Sequence, residues 1–197
     1  MASLIKAELE ACFARYTDQL IELQPSFCTL FAEKRLSKSA TYLAFGRTWD
    51  QFAVITEGFF RLYYLDAYGK QHTKGIFGAG SVLAPCAPVA ICQPVNFVIE
   101  AFTPAQLLCA DYRKVRNMLQ ACSWGQSLLI GMLEQVLNEK VEREFALLTL
   151  DAQSRYERFC ERNPDLAQVL PLHLVANYLG MTDVTLSRVR KKMGHAS

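Results

Sequence analysis

The 197-residue chain has no apolar run long enough to cross a bilayer as a helix. Its longest uncharged stretch, residues 75–99, is broken by Pro85, Pro88, Gln93, Pro94 and Asn96. The first ten residues carry Lys6, Glu8 and Glu10 and lack the apolar centre of a secretory signal. The seven cysteines include no Cys-x-x-Cys pair, so neither a disulfide framework nor a zinc ribbon is indicated, and the expected compartment is a reducing cytoplasm. Histidine is scarce, and only His72 lies in the β-rich region, where Glu100 is the sole acidic residue between Asp66 and Asp111. A cupin-like metalloenzyme needs several such ligands on neighbouring strands. No Gly-rich phosphate loop and no activated Ser or Cys arrangement is present either, so the sequence points away from an enzyme. A net charge of +2 is too small for a protein that coats nucleic acid generally. Any DNA binding must come from a local patch.

What is present divides into three textures. Residues 4–23 have a helical apolar stripe of Leu4, Ile5, Leu9, Cys12, Phe13, Tyr16 and Leu20. From residue 27 to 112, short β-branched and aromatic runs alternate with Gly, Pro and Asp breaks. Strands are expected at 51–57, 59–65, 71–77, 96–102 and 106–110. Residues 66–70 form a hairpin turn with Gly69 available for positive φ. Such strands fit a small barrel or roll. After Tyr112 the pattern becomes helical. Val115, Met118, Leu119 and Cys122 precede a break at Trp124-Gly125, and a long helix is expected over 126–150. Its stripe of Leu129, Leu133, Leu137, Val141, Phe145 and Leu148 faces away from Glu134, Glu139, Glu142, Arg143 and Glu144. A helix of this length spans roughly 37 Å and, with so narrow a stripe, packs on a partner helix. The alternative is packing wholly against its own roll. Asp151 is placed to cap a helix over 152–162, which Asn163-Pro164 ends.

The most specific signal is LHLVANYLGMTDVTLSRVRKKM, residues 172–193. Two short crossed helices need a small residue where they approach, which Ala176 supplies, and a left-handed residue in the turn, which Gly180 supplies. Val175, Leu179, Met181, Leu186 and Val189 provide a shared core, Pro171 suits the first turn, and Thr182 caps the second helix. In a helix-turn-helix the second helix enters the major groove. Arg188 is the candidate bidentate reader of guanine, Val184 of a thymine methyl, and Asp183 of a cytosine amino group unless it caps the helix. Thr182, Thr185 and Ser187 are candidate phosphate contacts, with Arg190, Lys191 and Lys192 supplying charge. A plain helical hairpin with a solvated basic end is the competing reading.

Three segments carry a family resemblance: FFRLYYLDAYGKQHTKGIFGAG (59–80), IEAFTPAQLLCADYRKVRNML (99–119) and TLSRVRKKM within the helix-turn-helix. Across nearly its whole length the chain resembles the Crp/Fnr family of transcription regulators. The resemblance implies an α+β chain: a double-stranded β-helix (jelly-roll) sensor over 1–112, a dimerisation helix over 113–150 and a helix-turn-helix over 151–197. It further implies a homodimer, palindromic DNA sites and RNA polymerase as a further partner. Members that bind cyclic nucleotides carry a Gly-Glu pair and a later Arg-Ser/Thr-Ala segment. Here the corresponding stretches read Ser81-Val82-Leu83-Ala84-Pro85 and Gln93-Pro94-Val95-Asn96-Phe97, and no Lys or Arg occurs between Lys74 and Arg113. A buried phosphate without a cation is poorly compensated, so cyclic AMP is not the expected signal. The N-terminal cysteine cluster of the oxygen-sensing branch is also missing. No cofactor is required. Haem would draw on His72, Cys86 or Cys92, although a lone cysteine in an apolar run is ordinarily a core residue. The apolar run containing Val82, Leu83, Cys86, Ile91 and Phe97 either lines a pocket for an apolar effector or simply fills the roll. Only four residues follow Met193, so the wing hairpin common in the family is not expected. Val184, where many relatives place a polar base reader, keeps open a module of this fold that no longer binds DNA specifically.

Overall fold

The computed structural model describes residues 2–194. Two four-stranded antiparallel sheets form a jelly-roll, with strand orders β1-β8-β3-β6 and β2-β7-β4-β5. The first sheet comprises β1 (Ala32–Leu36), β8 (Ala105–Asp111), β3 (Gln51–Glu57) and β6 (Val82–Leu83). The second comprises β2 (Thr41–Leu43), β7 (Phe97–Ala101), β4 (Phe60–Leu65) and β5 (Gln71–Phe77). Between the sheets lies a core built on Ala53, Ile55, Phe60, Leu62, Ile99 and Leu107. Alternate residues of β3 and β8, Phe52, Val54, Leu108 and Ala110, point the other way into a second core. That second core is shared with α1 (Ala2–Phe13), α2 (Pro25–Cys28), α4 (Tyr112–Ala121) and the start of α5 (Gly125–Thr149). A sheet buried on both faces explains why these strands read as nearly continuous apolar runs. A short helix, α3 (Pro88–Cys92), lies in the Pro-rich stretch.

The β4–β5 hairpin turns as expected, with Gly69 at φ +78°. Asp66 accepts from the Tyr68 and Lys70 N–H groups and holds the His72 ring at 2.9 Å. The ring, and after it the Lys70 N–H, keeps the Asp66 carboxyl below its ordinary range.

Helix α1 ends ten residues earlier than the apolar stripe suggests, and Leu20 is exposed. The chain is diverted because Tyr16 Oη accepts from the Val82 N–H (3.1 Å) and Thr17 Oγ1 pairs with Ser127 Oγ (2.9 Å). This diverted segment presses its backbone onto Gly131 of α5, where an added Cβ would overlap the Tyr16 carbonyl. Gly131→Ala therefore sets a helix-propensity gain of about 1 kcal/mol against displacement of backbone. The steric cost of about 1–3 kcal/mol prevails, so urea unfolding should show a net loss of stability; a gain would mean that the segment moves aside freely.

Helix α5 does not pack wholly against its own roll. Gly125, Leu128 and Met132 are buried and Leu129 is half-buried, but Leu133, Leu137, Val141, Phe145 and Leu148 lie open to solvent. Beyond it come α6 (Ala152–Arg162), capped by Asp151 accepting from the Ser154 N–H (2.8 Å), and α7 (Pro164–Val169). The chain ends in α8 (Leu172–Tyr178) and α9 (Asp183–Lys192). Residues 195–197, on which the expected absence of a wing partly rests, lie outside the described residues. Among the described residues no helix is long and apolar enough to cross a membrane.

Candidate nucleic-acid interface

Helices α8 and α9 cross over a sealed core. Leu174, Val175, Ala176, Leu179 and Leu186 are buried together with Tyr156 and Phe159 of α6, while Met181, Val189 and Met193 pack at the rim. Ala176 is fully buried at the close approach. Pro171 stands immediately before α8, one position ahead of the first turn. The turn closes as a left-handed cap: Met181 N–H donates to Ala176 O (3.0 Å) and Gly180 N–H to Asn177 O (3.2 Å), with Gly180 at φ +65°. That conformation is costly for any residue with a Cβ. Thr182 caps α9 by accepting from the Thr185 N–H at 3.2 Å, and the two hydroxyls also pair at 2.9 Å.

Leu186 and Val189 turn inward, leaving an outer edge of Val184, Ser187, Arg188 and Lys191 on one face of α9. Val184 is 60 % exposed, and Asp183, Ser187, Arg188, Lys191 and Lys192 are all exposed. Asp183 lies in the first turn of α9, where a carboxylate meets the positive end of the helix dipole. Arg190 is different. It is half-buried against Tyr156, so the exposed charge at the helix end is carried by Lys191 and Lys192.

The helix-turn-helix is fastened to the roll by residues that the sequence does not advertise. Phe59, Ile76 and Phe102 of the roll enter the same core as α6, α8 and α9, with Phe59 and Phe102 stacked at 5.7 Å. At the edge of β5, the Asn177 side-chain amide acts as an additional strand residue. Its Oδ1 accepts from the Thr73 N–H (2.6 Å) and its Nδ2 donates to Gln71 O (2.9 Å). Arg143 of α5 donates to Tyr178 O and Thr73 O and stacks on the Tyr178 ring at 4.6 Å. Glu142 beside it pairs with Arg158 and Arg162 of α6. The polar face of the long helix thus holds this chain's own C-terminal unit, and its apolar face is left free. Thr73 is buried, so Asn177→Leu would strand its N–H without a partner at a cost of about 1–3 kcal/mol. The expected result is faster limited proteolysis within residues 163–171; wild-type protection would show that Asn177 does not fasten the unit.

The residues expected to line an effector pocket are not gathered in one place. Leu83 and Phe97 lie in the core between the sheets, while Val82, Cys86 and Ile91 pack against the helix-side core. Of the haem candidates, Cys86 is half-buried there, Cys92 is exposed on α3, and His72 is held by Asp66. Among the described residues no group of three or more His, Cys, Asp or Glu is placed to hold a metal ion.

No family model matches the sequence, and no curated protein matches it. The fold does have solved counterparts. FixK2 from Bradyrhizobium japonicum superimposes with a TM-score of 0.72 at 16 % identity, over 83 % of this chain and 84 % of that one. A variant of CooA from Carboxydothermus hydrogenoformans gives 0.68 at 21 % identity, over 91 % and 88 %. CLP of Xanthomonas campestris, a global regulator responsive to c-di-GMP, gives 0.65 at 14 % identity, over 96 % and 91 %. These neighbours are Crp/Fnr family regulators, and the chain has their fold: an α+β β-roll followed by a helical C-terminal unit.

Proposed function

We propose that the chain is a homodimeric, sequence-specific DNA-binding transcription regulator, read out through α9 and paired through α5. The observation that carries this reading is the outer edge of α9. A helix with a sealed inner face holds an arginine, a serine, a valine and a lysine outward in one row, and its supports are themselves tied to the roll. Direct base contacts fall to Arg188 and Val184, with Asp183 beside them. Thr182, Thr185, Ser187, Lys191 and Lys192 serve the phosphates, and Arg190 braces the helix from behind. With a modest total charge, affinity rests on two half-sites bound at once. The signal reaches the roll and is not cyclic AMP, because the stretch that would hold the phosphate has no Lys or Arg between Lys74 and Arg113. RNA polymerase is the further partner that such a regulator would meet on the promoter.

Selection from a random-sequence duplex library at physiological salt, followed by mobility shift, tests the reading. The expected product is an inverted repeat whose half-sites lie about one helical turn, or a multiple of it, apart. Exposed Val184 favours one competitor, a protein-interaction module of the same fold without DNA specificity; recovery of no enriched motif would decide for that module.

A further inference from the structure

Strands β1 and β2 end opposite sheets, so the roll is open along the edge between them. A pocket of about 370 Å³ enters there, closed on one side by the loop over residues 44–50. Lys34, Tyr42, Arg47 and Trp49 line it, with Asp50 as the one acid, leaving a net positive charge. Lys34 shares the inner side of β1 with Leu36, and its ammonium stands 5.3 Å over the Tyr42 ring. Trp49 is only 9 % exposed, with its ring edge-on to Phe97 in the core. Tyr42 Oη lies beside Trp49 and Cys109. Yet neither Tyr42 Oη nor Trp49 Nε1 makes a hydrogen bond of acceptable geometry, although both atoms are buried.

An indole N–H can only donate, so what Trp49 lacks is an acceptor. Burial pushes the Tyr42 phenol above its ordinary range and keeps it a neutral donor. Leaving buried donors unmet costs about 1–3 kcal/mol each, a cost that an occupant could remove. Two orphaned donors between an ammonium and a guanidinium call for anionic oxygen, and the Tyr42, Leu43 and Trp49 side chains call for a flat apolar body. We infer that this edge pocket binds a small aromatic carboxylate, its carboxylate between Lys34 and Arg47 and accepting from the Trp49 indole N–H. On the regulator reading this is the seat of the effector, away from the stretches where relatives hold a cyclic nucleotide. The binding itself does not require DNA.

The chain has two tryptophans, Trp49 and Trp124, so ¹⁵N-labelled full-length protein gives two indole N–H cross-peaks, assigned with Trp124→Phe. Titration with sodium benzoate into the millimolar range should move the Trp49 peak saturably and leave the Trp124 peak in place. Lys34→Met and Arg47→Met, the latter at an exposed position that tolerates change, should each weaken binding about tenfold. Acetate, lacking the ring, and benzamide, lacking the charge, should each bind about tenfold more weakly than benzoate. A Trp49 peak that stays still or drifts without saturating would overturn the proposal, as would benzamide matching benzoate. Because the experiment contains no DNA, such a failure leaves the regulator reading standing.

Discussion

Arg188→Ala is expected to abolish discrimination between the selected operator and scrambled DNA, with the protein still folded and paired. A bidentate arginine–guanine contact is worth about 1–3 kcal/mol, and a two-fold complex contains it twice. The loss is therefore about 2–6 kcal/mol, or from roughly 30-fold to 10⁴-fold in operator affinity. Arg188 is exposed and belongs to no core, so its removal leaves no cavity. Arg188→Lys distinguishes charge from geometry. It retains the cation but not the planar fork, and should lose most of the specificity while keeping non-specific affinity. Lys191→Ala should do the opposite, weakening all sequences alike and reducing the salt slope by about 2 per dimer. Mobility shifts at several salt concentrations measure all three. Equal affinity of wild-type and Arg188→Ala protein for operator and scrambled duplex would remove base readout from the α9 edge.

The second large effect is expected on α5. Leu137 and Val141 are 59 % and 57 % exposed in the single chain, and the open stripe continues to Leu148. Over residues 133–148 it runs roughly 22 Å, long enough to form a seam. Leu137→Asp combined with Val141→Asp would place four carboxylates in a two-fold interface, where burying an unpaired charge costs several kcal/mol. Weakening of the dimer on the order of 10³-fold should follow, read by sedimentation equilibrium. Circular dichroism should stay unchanged, because neither side chain supports the fold of its own chain. Operator binding should fall with pairing, since one half-site alone cannot supply the avidity. A wild-type chain that sediments as a monomer at micromolar concentration would refute the paired arrangement at its source.

Strands buried on two faces, and helices with strong caps, could be read directly from the residues. β3 and β5 match their expected limits, and α6 begins at the Asp151 cap and stops at Asn163-Pro164. The helix-turn-helix was equally legible, because Ala176, Gly180 and Thr182 each meet a steric or hydrogen-bonding demand that few residues satisfy. β1 was not legible. Its sequence AEKRL is an edge strand, largely exposed, and carries charge where a central strand carries valine. The early end of α1 has no local signal either, because it is imposed by Val82 and Ser127, which are distant in sequence. Arg143 misled for the same reason. A charged residue opposite an apolar stripe reads as solvated, but here it reaches two backbone carbonyls of other elements. The effector candidates were selected as one apolar run, and a run within a roll is divided between its two sides by strand alternation.

The double hold of Arg143 on Thr73 and Tyr178 has a mechanical corollary. With the roll, the long helix and the C-terminal helices clamped at one point, a tilt imposed on the spine cannot dissipate in a slack joint and must be delivered to the reading heads. A swing of about 10° over a spine of roughly 37 Å carries its far end about 6 Å. Successive base pairs stack about 3.4 Å apart, so a mirrored tilt in two copies moves the heads by whole steps of the duplex. In such an assembly the ruler that measures the operator is the crossing angle of the spines.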